Sequence, residues 1–437
     1  MVDRWRSQTA WLSPACFVRP TDSHEVAAIM KVIETQQAKF AIRAGGHNPN
    51  ANFASVNELG VLIDLLELDS ISFDPSDGNI LRVGPGNTWE KVYTFAETRG
   101  RGVIGGRHGS VGVSGLLLGG GLTFFPSLYG MAADSVVNFE VVLSNSTIVN
   151  ANSLEYSDLY WALIGGGANF GLVTRFDIKT YTPMHAQYTI NIYNISDYVN
   201  VMYATARLQM AMEDDPNISF FLNVRGGVMV AGLLYAGNTP DRPRAFDEFF
   251  ELESLIMPLV PTTSGPILDL VPVLDHVGQT VLPARRALNA VSTKVDPKLY
   301  TDVHERYMAL LGKSTSLADL SYTIQAIPSN VAEIGRGRGG GNRLTNANQG
   351  WACLIEWFEE PEDNLSRQMV LALGDSIRAE SSERSALLDY IFMNDADASQ
   401  SVIESYGVED VKMLRSVAAR YDPGGVFQKL QNAGFLL

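Results

Sequence analysis

Two glycine clusters decide how this chain reads: Ile42-Arg43-Ala44-Gly45-Gly46-His47-Asn48, and Gly109-Ser110-Val111-Gly112-Val113-Ser114-Gly115-Leu116-Leu117-Leu118-Gly119-Gly120-Gly121. Each lies near a Val/Ile-rich stretch. A glycine-lined turn there lets backbone N–H groups approach a bulky anionic ligand with no Cβ in the way. Neither cluster is followed by Gly-Lys-Ser/Thr, which excludes a P-loop. Neither spells Gly-x-Gly-x-x-Gly between a strand and a helix, so the ordinary dinucleotide fingerprint is absent too.

Around the first cluster, short apolar runs alternate with helical patterns. Cys16–Pro20, Phe40–Arg43, Val61–Asp64 and Ile80–Val83 read as strands. Val26, Ile29, Met30 and Ile33 have helical spacing, predicting a helix over Ser23–Gln36 with Asp22 or Ser23 as N-cap. A second helix is expected over 88–98. The apolar run Gly115–Phe125 is glycine-rich and reads as a buried turn and strand. Beyond Tyr188 the texture changes to alternating strands (188–193, 218–224, 227–235, 321–327 and 351–358) with helices at 197–213 and 240–255. That pattern predicts an α+β protein in which an antiparallel sheet with helices on one face follows the glycine-rich lobe. A further helix is expected over Val408–Arg420.

A chain of 437 residues exceeds the usual size of one core, and 46% hydrophobic with 19% charged residues is a globular composition. The net charge of −15 argues against nucleic acid or an anionic membrane surface as partner. No apolar run is long enough to span a bilayer. Cys16 and Cys353 are the only cysteines, which excludes a disulfide framework or a Cys-based zinc site and leaves a single bridge open. The six histidines are scattered, so no metal site is expected. The Arg/Gly run 335–343 lacks interleaved aromatics and reads as a substrate-side loop rather than an RNA-binding segment. Met1–Arg6 has no apolar h-region, while sequons at Asn145, Asn194, Asn217 and Asn364 are compatible with secretion.

Together the clusters resemble the FAD-binding domain of the vanillyl-alcohol-oxidase (PCMH-type) superfamily, and within it the berberine-bridge-enzyme-like oxidases. Arg43-Ala44-Gly45-Gly46-His47 matches the family's Arg-Ser/Ala-Gly-Gly-His. Bicovalent relatives carry Gly-x-Cys-x-x-Val-Gly-x-x-Gly where this chain reads Gly106-Arg107-His108-Gly109-Ser110-Val111-Gly112-Val113-Ser114-Gly115. Further matches are Tyr129–Val136, Asp158–Thr174, and a tail of Tyr390-Ile391-Phe392-Met393-Asn394-Asp395, Tyr406-Gly407 and Arg420–Pro423. The resemblance implies two lobes: an FAD-binding domain at 1–185, a substrate domain at 186–389, and a segment 390–437 that returns to the first.

It also implies FAD bonded through its 8α position to His47 alone, because His108 stands where a cysteine would take flavin C6. The cofactor-binding set carried over comprises Arg43, Ala44, Gly45, Gly46, His47 and Asn48; His108, Gly109, Ser110, Val111, Gly112 and Gly115; Gly119, Gly120 and Gly121; and Gly166, Gly167, Phe170, Gly171 and Val173. Relatives often have Asn-Tyr after the Tyr-Gly pair, where Glu409-Asp410-Val411 stands here, so that contact is altered. Fungal relatives often carry a leader, which leaves localisation between the secretory pathway and the cytoplasm.

The implied chemistry is a two-electron oxidation of a small secondary metabolite, with dioxygen as acceptor. It needs a base for the substrate's O–H or N–H proton. On the apolar strand 351–358, Glu356 shares a face with Ala352, Leu354 and Phe358, which makes it the candidate base. Tyr129, Asn394 and Tyr406 are further candidates, Asn394 facing the cleft. A redox-neutral cyclase and a dehydrogenase with another acceptor are the alternatives; the absence of a Gly-x-Ser-x-Gly elbow disfavours a hydrolase.

Overall fold

The computed structural model describes residues 7–237, 239, 241–277, 284–313, 318–339 and 349–437. Strands β1 (Cys16–Val18), β2 (Lys39–Arg43) and β3 (Gly60–Asp64) form a parallel sheet in the order β1-β3-β2. The helix Ser23–Gln36 crosses between β1 and β2. Asp22 caps it by accepting from the Glu25 amide at 2.8 Å, and Val26, Met30 and Ile33 are its buried stripe. β2 ends at Arg43 because the chain must turn at Gly46, whose φ of 66° suits glycine.

A second, antiparallel sheet joins β4 (Ile71–Phe73), β5 (Ile80–Val83), β7 (Val136–Val142), β8 (Ile148–Asn152) and β9 (Leu172–Tyr181), with β6 (Gly102–Val103) pairing β9. Between β6 and β7 lies the second glycine cluster. There the structure corrects the expected turn and strand: Val113–Leu118 is a short helix, its residues Val113, Leu117 and Leu118 buried.

The third sheet has eight strands in the order β13-β10-β12-β11-β15-β16-β14-β17. These are β10 (His185–Asn194), β11 (Ile218–Arg225), β12 (Val228–Ala236), β13 (Leu255–Pro266), β14 (Arg285–Thr293), β15 (Asp319–Ala326), β16 (Gln349–Trp357) and β17 (Leu387–Leu388). The helices Tyr198–Asp214, Pro297–Lys313 and Asp363–Glu383 cover one face. Period-2 alternation sorts each strand. Leu320, Tyr322 and Ile324, with Trp351, Cys353 and Ile355, pack in the core under the helices, whereas Ser321, Thr323 and Gln325, with Ala352 and Leu354, face the other way.

Two elements differ from expectation in this lobe. The described part of 240–255 holds a 3₁₀ turn, Arg244–Phe246, running into the short helix Asp247–Glu251, and the chain then enters β13, an edge strand where Pro258 and Pro261 are tolerated. Residues 335–337 end the helix Asn330–Gly337 instead of forming a loop; the rest of the Arg/Gly run from 340 lies outside the described residues, as do Met1–Arg6.

After β17 the chain leaves the third sheet. Phe40 of β2 donates its amide to Leu430 at 3.0 Å, and Asn432 donates back to Phe40 at 2.7 Å. Val426, Phe427 and Leu430 complete the core beneath the helix Ser23–Gln36. Cys16 is exposed and Cys353 buried, and both are free thiols, so the bridge left open in the sequence does not form. Among the described residues no helix is long and apolar enough to cross a membrane, and no three His, Cys, Asp or Glu residues gather as metal ligands.

Candidate active site

The two glycine turns meet back to back. A Cβ on Gly45 would lie 2.5 Å from Gly112 Cα, and one on Gly112 would lie 2.7 Å from Gly45 Cα, so neither position admits a side chain. Next to them opens a cavity of about 450 Å³. Its walls include Ala44, Gly45, Gly46, His47 and Asn48 from the first turn and His108, Val111, Gly112, Gly115 and Gly119 from the second. Gly167, Gly171 and Val173 come from the segment leading into β9. The space then continues to the uncovered face of the third sheet, where Phe221, Asn223, Val230, Leu288, Thr323 and Leu354 line it. Gly232 of β12 sits opposite Phe221; a Cβ there would lie 2.1 Å from the Phe221 ring, so the glycine makes room for that aromatic wall.

Several residues of the expected cofactor set support this wall from behind instead of lining it. Arg43 is buried against Asp64, Nη2 to Oδ2 2.7 Å, beneath the first turn. Gly109 donates its amide to Asp275 at 3.1 Å and Ser110 its hydroxyl at 3.3 Å, tying the second turn to the helix Leu270–Val277; His108 Nδ1 stands 3.3 Å from the same carboxylate. Gly120 and Gly121 adopt φ of 103° and 78°, a conformation glycine permits. Gly166 fits close over the Ala162 carbonyl, and Phe170 is fully buried.

The catalytic candidates separate more sharply. Glu356 does share a sheet face with Ala352 and Leu354, but it does not line the cavity. It is 2% exposed and accepts from Arg286 Nε at 2.6 Å and Arg225 Nη2 at 2.6 Å. Arg225 also donates to Asp319 at 2.5 Å. Two guanidiniums favour the charged form of a carboxylate and weaken it as a base, which argues against Glu356 in that role.

Tyr129 lies outside the cavity lining, its ring edge-on to Tyr181 at 5.1 Å and its carbonyl accepting from Arg338 at 2.7 Å. Burial pushes its hydroxyl pKa up, the wrong direction for a base. Tyr406 is buried and donates to the Gly165 carbonyl at 2.9 Å, fixing the turn that precedes Gly167. Asn394 lines the cavity, and its amide is a brace: Oδ1 accepts from Gly121 at 3.0 Å and Nδ2 donates to Gly115 at 3.0 Å.

Sequence reasoning passed over three residues that meet where the glycine wall joins the sheet. Arg107 Nη2 donates to Gln325 Oε1, and Gln325 Nε2 donates to Asp395 Oδ2 at 2.7 Å. All three line the cavity. Burial raises the Asp395 pKa above the ordinary carboxylate range, opposed by the Gln325 hydrogen bond and by the charges of Arg107 and His108. Burial likewise lowers the Arg107 pKa, opposed by Asp395. The missed signal was modest: Asp395 follows Asn394 in the tail motif, but Gln325 comes from a strand far away in sequence.

Residues 14–152 match the model of an FAD binding domain. The whole chain is 35% identical over 448 residues to the FAD-dependent monooxygenase macF of Penicillium terrestre, covering 100% of this chain and 84% of that protein. It is 30% identical over 445 residues to the bifunctional solanapyrone synthase of Alternaria solani, covering 99% and 83%. Among solved structures, a chitooligosaccharide oxidase superposes with a TM-score of 0.82 at 18% identity over 99% of this chain and 94% of that one. The 6-hydroxy-D-nicotine oxidase of Arthrobacter nicotinovorans gives 0.80 at 20% identity, over 98% and 93%. At these identities the structural matches speak to the fold.

Proposed function

We propose what this enzyme does from a premise its fungal relatives establish: the chain belongs to the berberine-bridge-enzyme-like family of FAD-linked oxidoreductases, within the vanillyl-alcohol-oxidase superfamily. Its reaction is the two-electron oxidation of a small secondary metabolite, with dioxygen as the terminal acceptor. The observation that carries this reading is the single cavity that runs from the paired glycine turns, past His47, to the apolar face of the third sheet.

The residues present fit the cofactor. Gly45 and Gly112 leave no room for a Cβ between them, which lets the two turns close together into one cavity wall, and a Cβ on Gly115 would meet nothing within 4 Å, so that stretch of backbone is open to a ligand. Bound there, FAD supplies a two-electron acceptor whose reduced form dioxygen reoxidises, releasing hydrogen peroxide. His47 is the covalent anchor and acts alone: His108 occupies the second position, and Cys16 and Cys353 lie on an exposed strand and beneath the helices respectively. The chain's own work is to position and to exclude water. Asn394, Tyr406 and Asp275 hold the glycine segments; Phe221, Val230, Leu288 and Leu354 seat an apolar substrate body; Asn223 and Thr323 offer it hydrogen bonds.

Relatives named monooxygenase and bifunctional synthase define two other outcomes. Holoenzyme is mixed anaerobically with benzylic and allylic alcohols until one bleaches the flavin, then oxygenated under ¹⁸O₂. The oxidase reading expects one peroxide per product and no ¹⁸O in the product. Label in the product would make it a monooxygenase, and product formed without bleaching or oxygen use would make it a cyclase.

A further inference from the structure

We propose that Asp395 is the catalytic base of this enzyme, placed by a relay from Arg107 through Gln325, and that Glu356 has no part in the proton transfer. The inference rests on the flavin-oxidoreductase reading and adds to it the residue that takes the proton.

Geometry carries it. Asp395 lines the cavity where the Gly115–Gly119 wall meets strand β15, between the cofactor cradle and the apolar substrate face. Its neighbour Asn394 is locked to both ends of that glycine wall, so the backbone presenting Asp395 is fixed to the cradle. One carboxylate oxygen is oriented: Oδ2 accepts from Gln325 at 2.7 Å, and the Gln325 oxygen is itself held by Arg107. Oδ1 has no hydrogen-bond partner among the described residues. A base needs this arrangement, with one oxygen orienting the group and the other directed to the substrate's proton.

Arg107 comes from the FAD-binding lobe, Gln325 from the substrate sheet and Asp395 from the returning tail. The relay therefore forms only when both lobes and the tail are in place. Burial raises the carboxyl's proton affinity, which suits a base working nearer neutrality. The groups whose charge reaches it are Arg107 and His108; Cys353, on the helix-covered face of β16, is held protonated by burial with a pKa of about 12. His47 and Arg286 share the cavity.

With an alcohol as substrate, every proton and electron has a destination. The substrate's O–H proton passes to Asp395 Oδ1, its C–H leaves as hydride to the oxidised flavin, and a C=O bond forms. Dioxygen accepts the two electrons and two protons, one of them the proton from Asp395, and leaves as hydrogen peroxide.

The test uses purified holoenzyme as wild type, D395N, D395E and E356Q. The first readout needs no substrate: the visible flavin absorption is titrated from acid to neutral pH. Wild type and E356Q are expected to show a one-proton spectral change with its midpoint above the ordinary carboxylate range; D395N loses it and D395E shifts it. The second readout is anaerobic flavin bleaching by the alcohol found to reduce wild type. D395N is expected to slow it about a hundredfold or more and to lose the acidic limb of its pH profile, while D395E keeps that limb.

Should D395N retain both the spectral change and the rate, or folded E356Q abolish them, the assignment to Asp395 falls. A wild-type protein that binds no flavin would instead sink the cofactor reading. If D395N does not fold, D395E decides alone, an unshifted midpoint and an unchanged rate overturning the proposal.

Discussion

Glu356 and Asp395 are acids at opposite ends of one sheet face, and their surroundings give them opposite work. Glu356 is enclosed by Arg286 and Arg225, both at 2.6 Å, and lies outside the cavity. Asp395 lies in the cavity wall, oriented through one oxygen by a neutral glutamine, with its guanidinium one residue removed. The first is a structural charge that neutralises two arginines. The second keeps its basicity because burial raises its proton affinity more than its neighbours lower it. A carboxylate on an apolar strand thus says little about catalysis until its counter-ions are known.

The largest effect expected on this contrast is the hundredfold loss of flavin reduction in D395N. Next comes E356Q, which leaves the buried Arg286 guanidinium with a neutral partner and Arg225 with Asp319 alone, and should cost about 3–5 kcal/mol of stability by denaturant titration. Flavin reduction in its folded fraction should stay within about threefold of wild type; a hundredfold loss there would collapse the contrast.

Q325M removes the hydrogen bond that favours the ionised form of Asp395 and detaches Arg107. Reduction should slow by about tenfold, and the acidic limb of its pH profile should move to higher pH, because losing a partner of the charged form raises a carboxyl's pKa further. A limb that stayed in place would show that Gln325 does not set the group's proton affinity.

The smallest effect concerns stability. A carboxyl whose folded-state pKa is raised stabilises the fold only while protonated, and that contribution fades as pH rises through the folded value. D395N should therefore melt about 1–3 °C above wild type at neutral pH and level with it below the ordinary carboxylate range. Equal melting temperatures at both pH values would contradict the burial cost ascribed to the ionised Asp395.

Much of the glycine-rich lobe was legible in the sequence. The helix Ser23–Gln36, strands β2, β3 and β5 and the glycine turns depend on local signals: a cap, a 3.6-residue stripe, residues free to take positive φ. Strand β14 and the helix Asp363–Glu383 drew no prediction. Edge strand β13 was hidden by its prolines, tolerable only because one side of it is unpaired.

In the site, the pattern located Asn394 but passed over Asp395 beside it, and it ranked Glu356 first. Alternation reports which face a side chain takes and nothing about what crosses from the next strand. Arg225 and Arg286 come from β11 and β14, and Gln325 from β15; those pairings are tertiary. Arg43 and Tyr406 teach the same lesson, since both sit in cofactor-like motifs yet spend their polar groups holding the turns from behind.

The account rests above all on the cavity being a flavin site anchored at His47, and one measurement reaches it directly. Purified protein is precipitated with acid and digested, and the peptide containing His47 is weighed by mass spectrometry. The account predicts that the yellow colour stays with the pellet and that this peptide carries the mass of FAD, with none on the peptide containing His108. Colour released to the supernatant would contradict the anchor, and a colourless protein would contradict the site itself.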